Sequence, residues 1–286
     1  MPEGPEVRIV ADVIHKFLYN KRVITLAVVE NMPGTLHRYG REKPKNWEFV
    51  TKPFFVKNIR TKGKLILLDI VGDTADADRD RVILITLGMS GDFQYNAEKH
   101  KHCRYIFSLD DGSNLAFIDP RCFGTIRIVS LTEAAKLEKK IGWDLLQSPM
   151  PDDQWRKLKF RVGNQEIGDV LLEQKYVSGI GNIYRAELCH KLKLNPTELV
   201  HRISDDQWTA LNREAHNLLQ AAYALNGCSV ADFTANGVEG QAQQLLQIYG
   251  KSTCPRGHNV QSIQQSGRTM WYCSECQPAI IGLLYS

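Results

Sequence analysis

The chain opens with apolar residues at helical spacing. In the stretch EVRIVADVIHKFLYNKRV, five apolar side chains fall on one face of a helix, and the polar pair Asn20 and Lys21 can end it. The side chains on that face are Val7, Val10, Ile14, Phe17 and Leu18. The pattern therefore predicts a short amphipathic helix at the start of the fold.

Apolar and β-branched segments follow this helix. They are VITLAVVE, FFVKNI, KLILLDIV, RVILITLGM, RYIFSL, NLAFID and TIRIVSL, and the turn-like stretches GDTADADRD and DDGS separate some of them. Short strands with such turns are typical of an antiparallel β-sandwich or barrel, here of about 120 residues. Because the acidic residues of the first turn lack the ligand spacing of a cation loop, a solvated hairpin loop is favoured there. Those residues are Asp73, Asp76, Asp78 and Asp80.

The pattern changes to helical periodicity after Ser130. The stretch TEAAKLEKKIGWDLLQSPMPDDQWRKLKF predicts two helices joined by a proline-containing linker, and helical spacing continues through IGDVLLEQKY, IGNIYRAELCHKLKL and SDDQWTALNREAHNLLQAAYALN. The last 35 or so residues hold clustered cysteines and a histidine. The sequence thus predicts an α+β multidomain chain. Its parts are a β domain at 1–130, a linker at 131–150, a helical domain at 151–246 and a cysteine-histidine module at 247–286.

Length and composition fit a globular protein of about two domains. The 286 residues are 43% hydrophobic and 24% charged, and the net charge of +4 permits a polyanionic partner without establishing one. No apolar run approaches the roughly 20 residues of a membrane span, and the N-terminus lacks the pattern of a signal peptide. We therefore expect an intracellular protein without a membrane partner.

The cysteines indicate a metal site. Their number, seven, is odd, and three of them cluster in CPRGHNVQSIQQSGRTMWYCSEC. Cys254, His258, Cys273 and Cys276 form two closely spaced pairs that a hairpin loop can bring together, which suits a tetrahedral, structural Zn²⁺ ion. The hairpin between the pairs carries Arg268, which can contact phosphates, although a hairpin that only staples the fold is an open alternative.

A glycine-rich interruption lies in VSGIGNIYRAEL. Gly179 and Gly181 break the helical pattern, and Asn182 follows where a new helix begins. The free N–H groups of a helix start attract anions, so a phosphate clamp is one interpretation and an ordinary helix break is the other. A dinucleotide site is excluded because neither the full G-x-G-x-x-G pattern nor a preceding strand is present, so no nucleotide cofactor is expected.

Three loops of the β domain carry a further set of candidates. They are TKGKLIL, TLGMSG and DPRCFG, with Lys64 beside a glycine, Met89 at a loop tip, and Arg121 and Phe123 on either side of Cys122. Each side chain taken singly is explained by core packing. Together on one rim, they would be able to enter a duplex and fill the space left by an extruded base.

The first six residues, MPEGPE, allow two interpretations. Pro5 suits the first turn of a helix, and Glu3 and Glu6 suit its positive end. Helix-start logic gives no reason for a second proline, Pro2, directly after Met1, so these residues are also candidates for the chemistry itself.

These motifs together resemble the formamidopyrimidine-DNA glycosylase and endonuclease VIII family, including its endonuclease VIII-like members. The similarity runs almost end to end through MPEGPE, KGK, LGMSG, DPRCFG, IGWDLL, LLEQKYVSGIGNIYRAE, QIYGK and GRTMWYCSECQ. The resemblance implies an N-terminal β-sandwich with a leading helix, a helix–two-turn–helix domain with a lesion-contacting loop, and a zinc-finger hairpin. It also implies a monomer that binds damaged DNA in the cleft between its domains and resides with the DNA, in the cytoplasm and nucleoid or in the nucleus.

The resemblance further implies catalytic roles. Pro2, exposed when Met1 is removed, matches the family's nucleophile, and Glu3 matches the acid/base that protonates the deoxyribose ring oxygen. Glu6 supports Glu3, and Lys64 grips phosphate. The implied reactions are excision of an oxidised base through a proline Schiff base and strand cleavage by β,δ-elimination.

It implies DNA-contacting roles as well. Met89, Arg121 and Phe123 match the trio that fills the space of the flipped base, and Asn182 and Arg268 match the phosphate-gripping asparagine and zinc-finger arginine. The 226–247 loop does not indicate which oxidised base fits.

Two positions depart from the family pattern. His258 replaces one of the four cysteines that many members use for zinc, as in some endonuclease VIII-like branches. Cys122 stands where the formamidopyrimidine branch commonly has a second arginine, which leaves the preference for the opposite base open. The competing hypotheses are a damaged-DNA-binding protein without catalysis, against which the retained Pro2, Glu3 and Lys64 argue, and a zinc-ribbon transcription factor, which leaves MPEGPE unexplained.

Overall fold

The structure is a computed structural model that describes residues 2–29, 44–73, 80–229 and 234–279. Its chain divides into two compact units, which do not follow chain order. The first contains residues 1–140 and 223–243, and the second contains residues 141–222 and 244–286. The boundaries of the four parts expected from the sequence stay a prediction.

The first unit is built on one antiparallel sheet. Among the described residues this sheet has eight strands, in the order β5-β7-β6-β1-β2-β3-β4-β8. The strands are β1 (Arg22–Val28), β2 (Phe54–Lys62), β3 (Leu65–Gly72), β4 (Arg81–Thr86), β5 (Asp92–Tyr95), β6 (Cys103–Leu109), β7 (Asn114–Ile118) and β8 (Thr125–Val129). The antiparallel β fold expected for the N-terminal part is confirmed. Seven of these strands lie in the apolar segments named above.

Two helices pack on this sheet. Helix α1 (Gly4–Leu18) buries its apolar face, including Val10, Ile14 and Leu18, in the main core of the unit. The short helix α2 (Leu131–Glu138) is capped by Ser130, whose hydroxyl accepts a hydrogen bond from the Glu133 N–H. It covers a smaller apolar cluster on β3, β4 and β8. The predicted leading helix is thus present and begins three residues earlier than its first predicted apolar position.

The second unit is helical with a terminal hairpin. Its elements are β9 (Trp143–Asp144), α3 (Asp152–Val162), α4 (Ile167–Leu172), β10 (Val177–Ser178), α5 (Asn182–Lys191), α6 (Asp205–Ala224), β11 (Gln261–Gln265) and β12 (Arg268–Tyr272). Strands β11 and β12 pair antiparallel, and the two-residue strands β9 and β10 pair parallel. The core contains the stacked rings of Trp155 and Trp208, whose centroids lie 4.4 Å apart, and each indole N–H donates to the other's backbone carbonyl. The expected helices and hairpin are confirmed.

None of the helices that the structure describes is both long and apolar enough to span a bilayer. Of the positions discussed above, Met1, Asp76, Asp78 and residues 230–233 of the 226–247 loop lie outside the described residues.

Candidate active site and metal centre

Two buried carboxylates stand at the N-terminus of α1. Glu3 occupies the position just before the helix, and its side chain and that of Glu6 are 1% and 2% exposed. The Glu6 Oε2 atom accepts a hydrogen bond from the Glu3 N–H at 2.9 Å, which closes a capping box on the first turn. Pro5 lies in that turn, where its missing N–H is not needed. The backbone next to Pro2 is therefore held in one conformation.

The same Glu6 carboxylate binds a distant part of the chain. Its Oε1 atom accepts a hydrogen bond from the Cys228 N–H at 2.8 Å. The neighbouring Gly227 has a φ of +74°, and a Cβ atom placed on it would lie 3.0 Å from both Cγ and Oε1 of Glu6. Only glycine gives both this backbone conformation and this approach. Glu6 therefore joins the helix start to the first residues of the 226–247 loop.

Lys64 lies in a tight hairpin between β2 and β3. Lys62 and Leu65 pair across the hairpin, so that Gly63 and Lys64 form a two-residue turn, and Gly63 supplies the positive φ of +56° that such a turn requires. The Lys64 side chain is half-buried.

The structure brings the loops of Met89, Arg121 and Phe123 together. The buried Asp119 carboxylate, 1% exposed, accepts hydrogen bonds from the Ser90 hydroxyl at 2.7 Å and from the Gly124 N–H at 2.7 Å. It thereby ties the loop after β4 to the loop before β8. Met89 and Phe123 are 38% and 46% exposed at these loops, far above the usual exposure of large apolar side chains.

Close backbone packing adds to this contact. Gly88 has a φ of +62°, and a Cβ atom there would lie 2.5 Å from the Gly124 nitrogen and 2.8 Å from the Phe123 Cβ. Between the exposed Arg121 and Phe123, Cys122 turns inward, is 8% exposed and adopts a φ of +57°, which is uncommon for a residue with a side chain. This turn exposes both Arg121 and Phe123 to solvent while Cys122 between them is buried.

In the second unit, Asn182 is fixed to Thr269, the residue that follows Arg268 in sequence. Asn182 is the first residue of α5, and its Nδ2 donates to the Thr269 carbonyl at 2.8 Å. Its Oδ1 accepts two hydrogen bonds from the guanidinium of Arg185, at 2.7 and 3.0 Å. These contacts set the orientation of the amide at the α5 N-terminus, where N–H groups and the helix dipole favour an anion.

Arg185 also holds the terminal hairpin. It is fully buried, and its Nη1 donates to the Gly168 carbonyl at 3.1 Å and to Gln265 Oε1 at 3.3 Å. The Gln265 side-chain amide donates to Glu166 at 2.6 Å and to the Pro196 carbonyl at 3.0 Å. This network seats β11 and β12 against α4 and α5.

Four ligand atoms converge beyond the hairpin. The donor atoms of Cys254, His258, Cys273 and Cys276 all lie within 4.8 Å of one another. His258 Nδ1 is 3.4 Å from Cys276 Sγ and 3.7 Å from Cys273 Sγ, and the sulfurs of Cys254 and Cys276 are 3.9 Å apart. A tetrahedral ion with bonds of about 2.3 Å places its ligands about 3.8 Å apart. The four residues therefore fit a metal ion of the zinc type, with no position left over.

Gln277 anchors this metal centre to the helical core. Its Oε1 accepts from the Cys273 N–H at 2.9 Å, and its Nε2 donates to the Leu194 carbonyl at 2.8 Å. Two cysteines outside the centre are buried, and burial raises the pKa of Cys103 to about 11 and that of Cys189 to about 12. These two thiols are inert at neutral pH, as expected for isolated buried cysteines.

Known proteins share this architecture. The family model of the formamidopyrimidine-DNA glycosylase N-terminal domain matches residues 1–126, and that of the formamidopyrimidine-DNA glycosylase H2TH domain matches residues 141–234. The formamidopyrimidine-DNA glycosylase of Zymomonas mobilis is 31% identical over 206 residues, which are 70% of this chain and 76% of that protein. The chain belongs to the formamidopyrimidine-DNA glycosylase family.

Other relatives cover more of the chain. The formamidopyrimidine-DNA glycosylase of Wolbachia pipientis from Culex pipiens is 28% identical over 97% of this chain and its own full length. The Lactococcus lactis protein, solved in complex with abasic-site-containing DNA, has a TM-score of 0.79 at 27% identity and covers 96% of this chain and 99% of its own. A variant of that protein solved with Fapy-dG-containing DNA has a TM-score of 0.80 at 26% identity, with 97% and 100% covered.

Membership of the formamidopyrimidine-DNA glycosylase family supports a DNA glycosylase function in base excision repair. The relatives named here are formamidopyrimidine-DNA glycosylases, so the narrower assignment to an endonuclease VIII-like branch stays a prediction. The roles assigned to single residues also stay predictions, although the positions of those residues are now defined.

Three supporting residues of this formamidopyrimidine-DNA glycosylase family member were not predicted from its sequence. Asp119 stood in the quoted DPRCFG motif, and its position directly before a proline was the only signal that its side chain had a special role. Arg185 lies three residues after Asn182 on α5, a spacing that brings side chains together on a helix. Cys228 contributes only a backbone N–H, which no residue pattern reveals.

Proposed function

We propose that this protein is a bifunctional DNA glycosylase and apurinic/apyrimidinic lyase that excises oxidised bases from DNA with Pro2 as its nucleophile. The proposal rests on the position of the Glu6 carboxylate, which accepts hydrogen bonds from both the Glu3 N–H and the Cys228 N–H. This arrangement holds the Pro2–Glu3 pair at the end of a rigid helix, as an N-terminal nucleophile and its acid/base partner require.

Removal of Met1 converts the Pro2 nitrogen into a secondary amine. An α-amino group titrates at about pH 8, so a useful fraction is unprotonated at neutral pH. Its lone pair attacks the sugar C1′, and the glycosidic bond breaks with its electron pair leaving on the base, which takes up a proton. Glu3 donates a proton to the ring oxygen as the sugar opens, and the nitrogen and C1′ then share an iminium double bond.

The iminium makes the C2′ hydrogen acidic. Loss of that proton expels the 3′ phosphate by β-elimination, and a second proton loss expels the 5′ phosphate by δ-elimination. Water then adds to the iminium carbon and releases the Pro2 amine. One nitrogen therefore performs both base removal and strand cleavage, without a nucleotide cofactor.

Damaged DNA is the proposed partner of a monomeric protein located with the cell's DNA. The Lactococcus lactis complexes with abasic-site and Fapy-dG DNA support this partner. Lys64, Asn182 and Arg268 are proposed to grip phosphates. Met89, Arg121 and Phe123 are proposed to fill the space of the extruded base, because their loops lie together and their side chains reach solvent.

We further propose that the centre of Cys254, His258, Cys273 and Cys276 holds one structural zinc ion. The donor set and spacing support this identity. The ion would fold the loop that carries β11 and β12 and so present Arg268, and it takes no part in the chemistry of the nucleophile.

Borohydride trapping tests the proposal. The processed protein is incubated with an oligonucleotide that contains an abasic site or an oxidised base, and borohydride reduces the iminium to a stable amine. We expect a covalent protein–DNA adduct, its loss in Pro2→Gly or when Met1 is retained, and a selective loss of base excision in Glu3→Gln. Binding of lesion DNA with no adduct from correctly processed protein would instead support the damage-binding alternative.

A further inference from the structure

An exposed aromatic side chain stands on α3. The apolar face of this helix is buried through Trp155, Leu158 and Val162. Phe160 points away from that face and is 88% exposed, the highest value among the large hydrophobic side chains that the structure describes; Val238 follows at 57%. The ring buries little of its apolar surface in the fold, which leaves that surface for contact with another molecule.

A cavity of about 450 Å³ opens beside this ring. Its size suits an apolar or aromatic side chain of a ligand. The charged and aromatic side chains that line it are Arg156, Lys159, Phe160, Arg161, His201 and Asp205. We refer to these six residues as the α3 pocket.

The α3 pocket is basic. Asp205 is its acidic member, and this carboxylate already pairs with Lys159 at 2.5 Å. Arg156 and Arg161, which stand four residues before and one residue after Phe160 in sequence, are exposed, and the Arg161 guanidinium lies over the ring of Tyr176 at 5.1 Å. The charge that remains for a ligand is therefore positive.

The wall opposite α3 is ordered. The carbonyl of Gly163 accepts hydrogen bonds from both the N–H and Nδ1 of His201 at 2.9 Å each, and Gln165 donates to the Tyr176 hydroxyl at 3.0 Å. These contacts join the end of α3 to the 200–202 turn and to the loop before β10. The pocket is therefore largely formed before a ligand arrives, which lowers the entropic cost of binding.

We propose that the α3 pocket docks an acidic segment of a partner protein, with an apolar anchor side chain beside Phe160 and carboxylates on Arg156 and Arg161. The combination of a concave apolar anchor site and flanking arginines is typical of protein interfaces. A nucleic-acid backbone would use the arginines but neither the phenyl ring nor the cavity. The proposal does not depend on the chemistry assigned to Pro2.

A fluorescent peptide tests this docking. The probe is a ten-residue peptide of aspartates with one internal phenylalanine, titrated with the full-length protein and followed by anisotropy. We expect saturable binding that weakens as salt rises, and a loss of about tenfold or more in affinity in Phe160→Ser and in Arg156→Glu, since anchor residues carry most of the energy of an interface.

Matched controls isolate the pocket. Lys157→Glu makes the same charge change on α3 at a residue that pairs with Asp153 and lies outside the pocket, and Leu131→Ser removes another exposed apolar side chain. Both variants should bind the peptide like wild type, and all four should excise bases normally. The proposal would be overturned if the peptide did not bind or if the control variants lost as much peptide affinity as the pocket variants. It would also be overturned if the pocket variants lost DNA affinity while peptide binding stayed unchanged, a result that would assign the surface to nucleic acid.

Discussion

The carboxylate of Glu6 accepts a hydrogen bond from the backbone N–H of Cys228 at 2.8 Å, across 222 positions of sequence. The same carboxylate caps the first turn of α1 through the Glu3 N–H. Hydrogen bonds to a carboxylate are stronger than those between neutral groups. Because Glu6 is only 2% exposed, water cannot easily replace the Glu3 or Cys228 N–H as a donor. The geometry of the helix start and of the 225–228 backbone are thus set by one side chain.

Gly227→Ala should therefore disturb the N-terminal site. The new Cβ would lie 3.0 Å from Glu6 and would also strain a backbone with a φ of +74°. We expect a lower melting temperature and slower borohydride trapping, with a cost of about 1–3 kcal/mol in stability.

Gly237→Ala is the matched control for this change. Gly237 has the same φ of +74°, but nothing lies within 4 Å of its added Cβ. The two variants share the backbone strain and differ in the contacts of the added Cβ with Glu6 and, at 3.2 Å, with the Cδ1 atom of Ile9. Equal trapping rates in both would show that the contact does not matter for the nucleophile.

Asp119→Asn should separate base excision from strand cleavage. An amide cannot accept hydrogen bonds from Ser90 and Gly124 at both of its positions, so the loops of Met89 and Phe123 should loosen. We expect excision of an oxidised base to fall about ten- to a hundredfold, since small displacements of positioned groups have such effects. Cleavage at a preformed abasic site should fall less, because no base has to be extruded.

Asp111→Asn provides the comparison for Asp119. Asp111 lies in an exposed turn and bonds to Ser113 within the same hairpin. Its substitution should change neither activity. An equal fall of base excision and abasic-site cleavage in Asp119→Asn would contradict a role in filling the duplex and indicate a general loss of folded protein.

The sequence predicted local features well and distant ones poorly. Helix α1 and seven strands followed from periodicity, and the four metal ligands followed from their spacing, because these signals lie within short stretches. Strand β5 was missed since it has four residues and begins at Asp92, a polar residue whose carboxylate is buried against residues 234–237. The convergence of Met89 with Phe123 depends on Asp119 binding Ser90, a contact that residue patterns do not encode.

Asp92 should make stability depend on pH. Its carboxylate is buried and accepts hydrogen bonds from Thr234 and from the N–H groups of Asn236 and Gly237. Burial is the largest influence and raises the pKa of Asp92, although these bonds lower it. Folding therefore favours the protonated form of Asp92. The contribution of this group to the free energy of unfolding is fully present below the ordinary carboxyl pKa, and it is lost as pH rises through the raised pKa of the folded protein.

Denaturant titrations across that pH window check the sign. Relative to Asp92→Asn, the wild-type protein should lose stability as pH rises above the ordinary carboxyl range. Asp111 gives the opposite case, because the bond from the Ser113 hydroxyl is the first cause that lowers its pKa. Its contribution is present above the ordinary pKa and lost as pH falls. Parallel pH profiles for Asp92→Asn and wild type would refute the shift at Asp92.

Substitutions of the metal ligands should show whether zinc binding depends on the number of donors or on their type. His258→Cys keeps four donors and creates a four-cysteine centre, so it should retain one zinc per chain by elemental analysis. Cys276→Ala leaves three donors, and zinc content and affinity for undamaged duplex should both fall, because the ion folds the segment that presents Arg268. Cys189→Ala removes a buried thiol whose pKa is raised to about 12 and should leave the zinc content unchanged. Full zinc occupancy in Cys276→Ala, or its loss in Cys189→Ala, would show that the metal is held elsewhere.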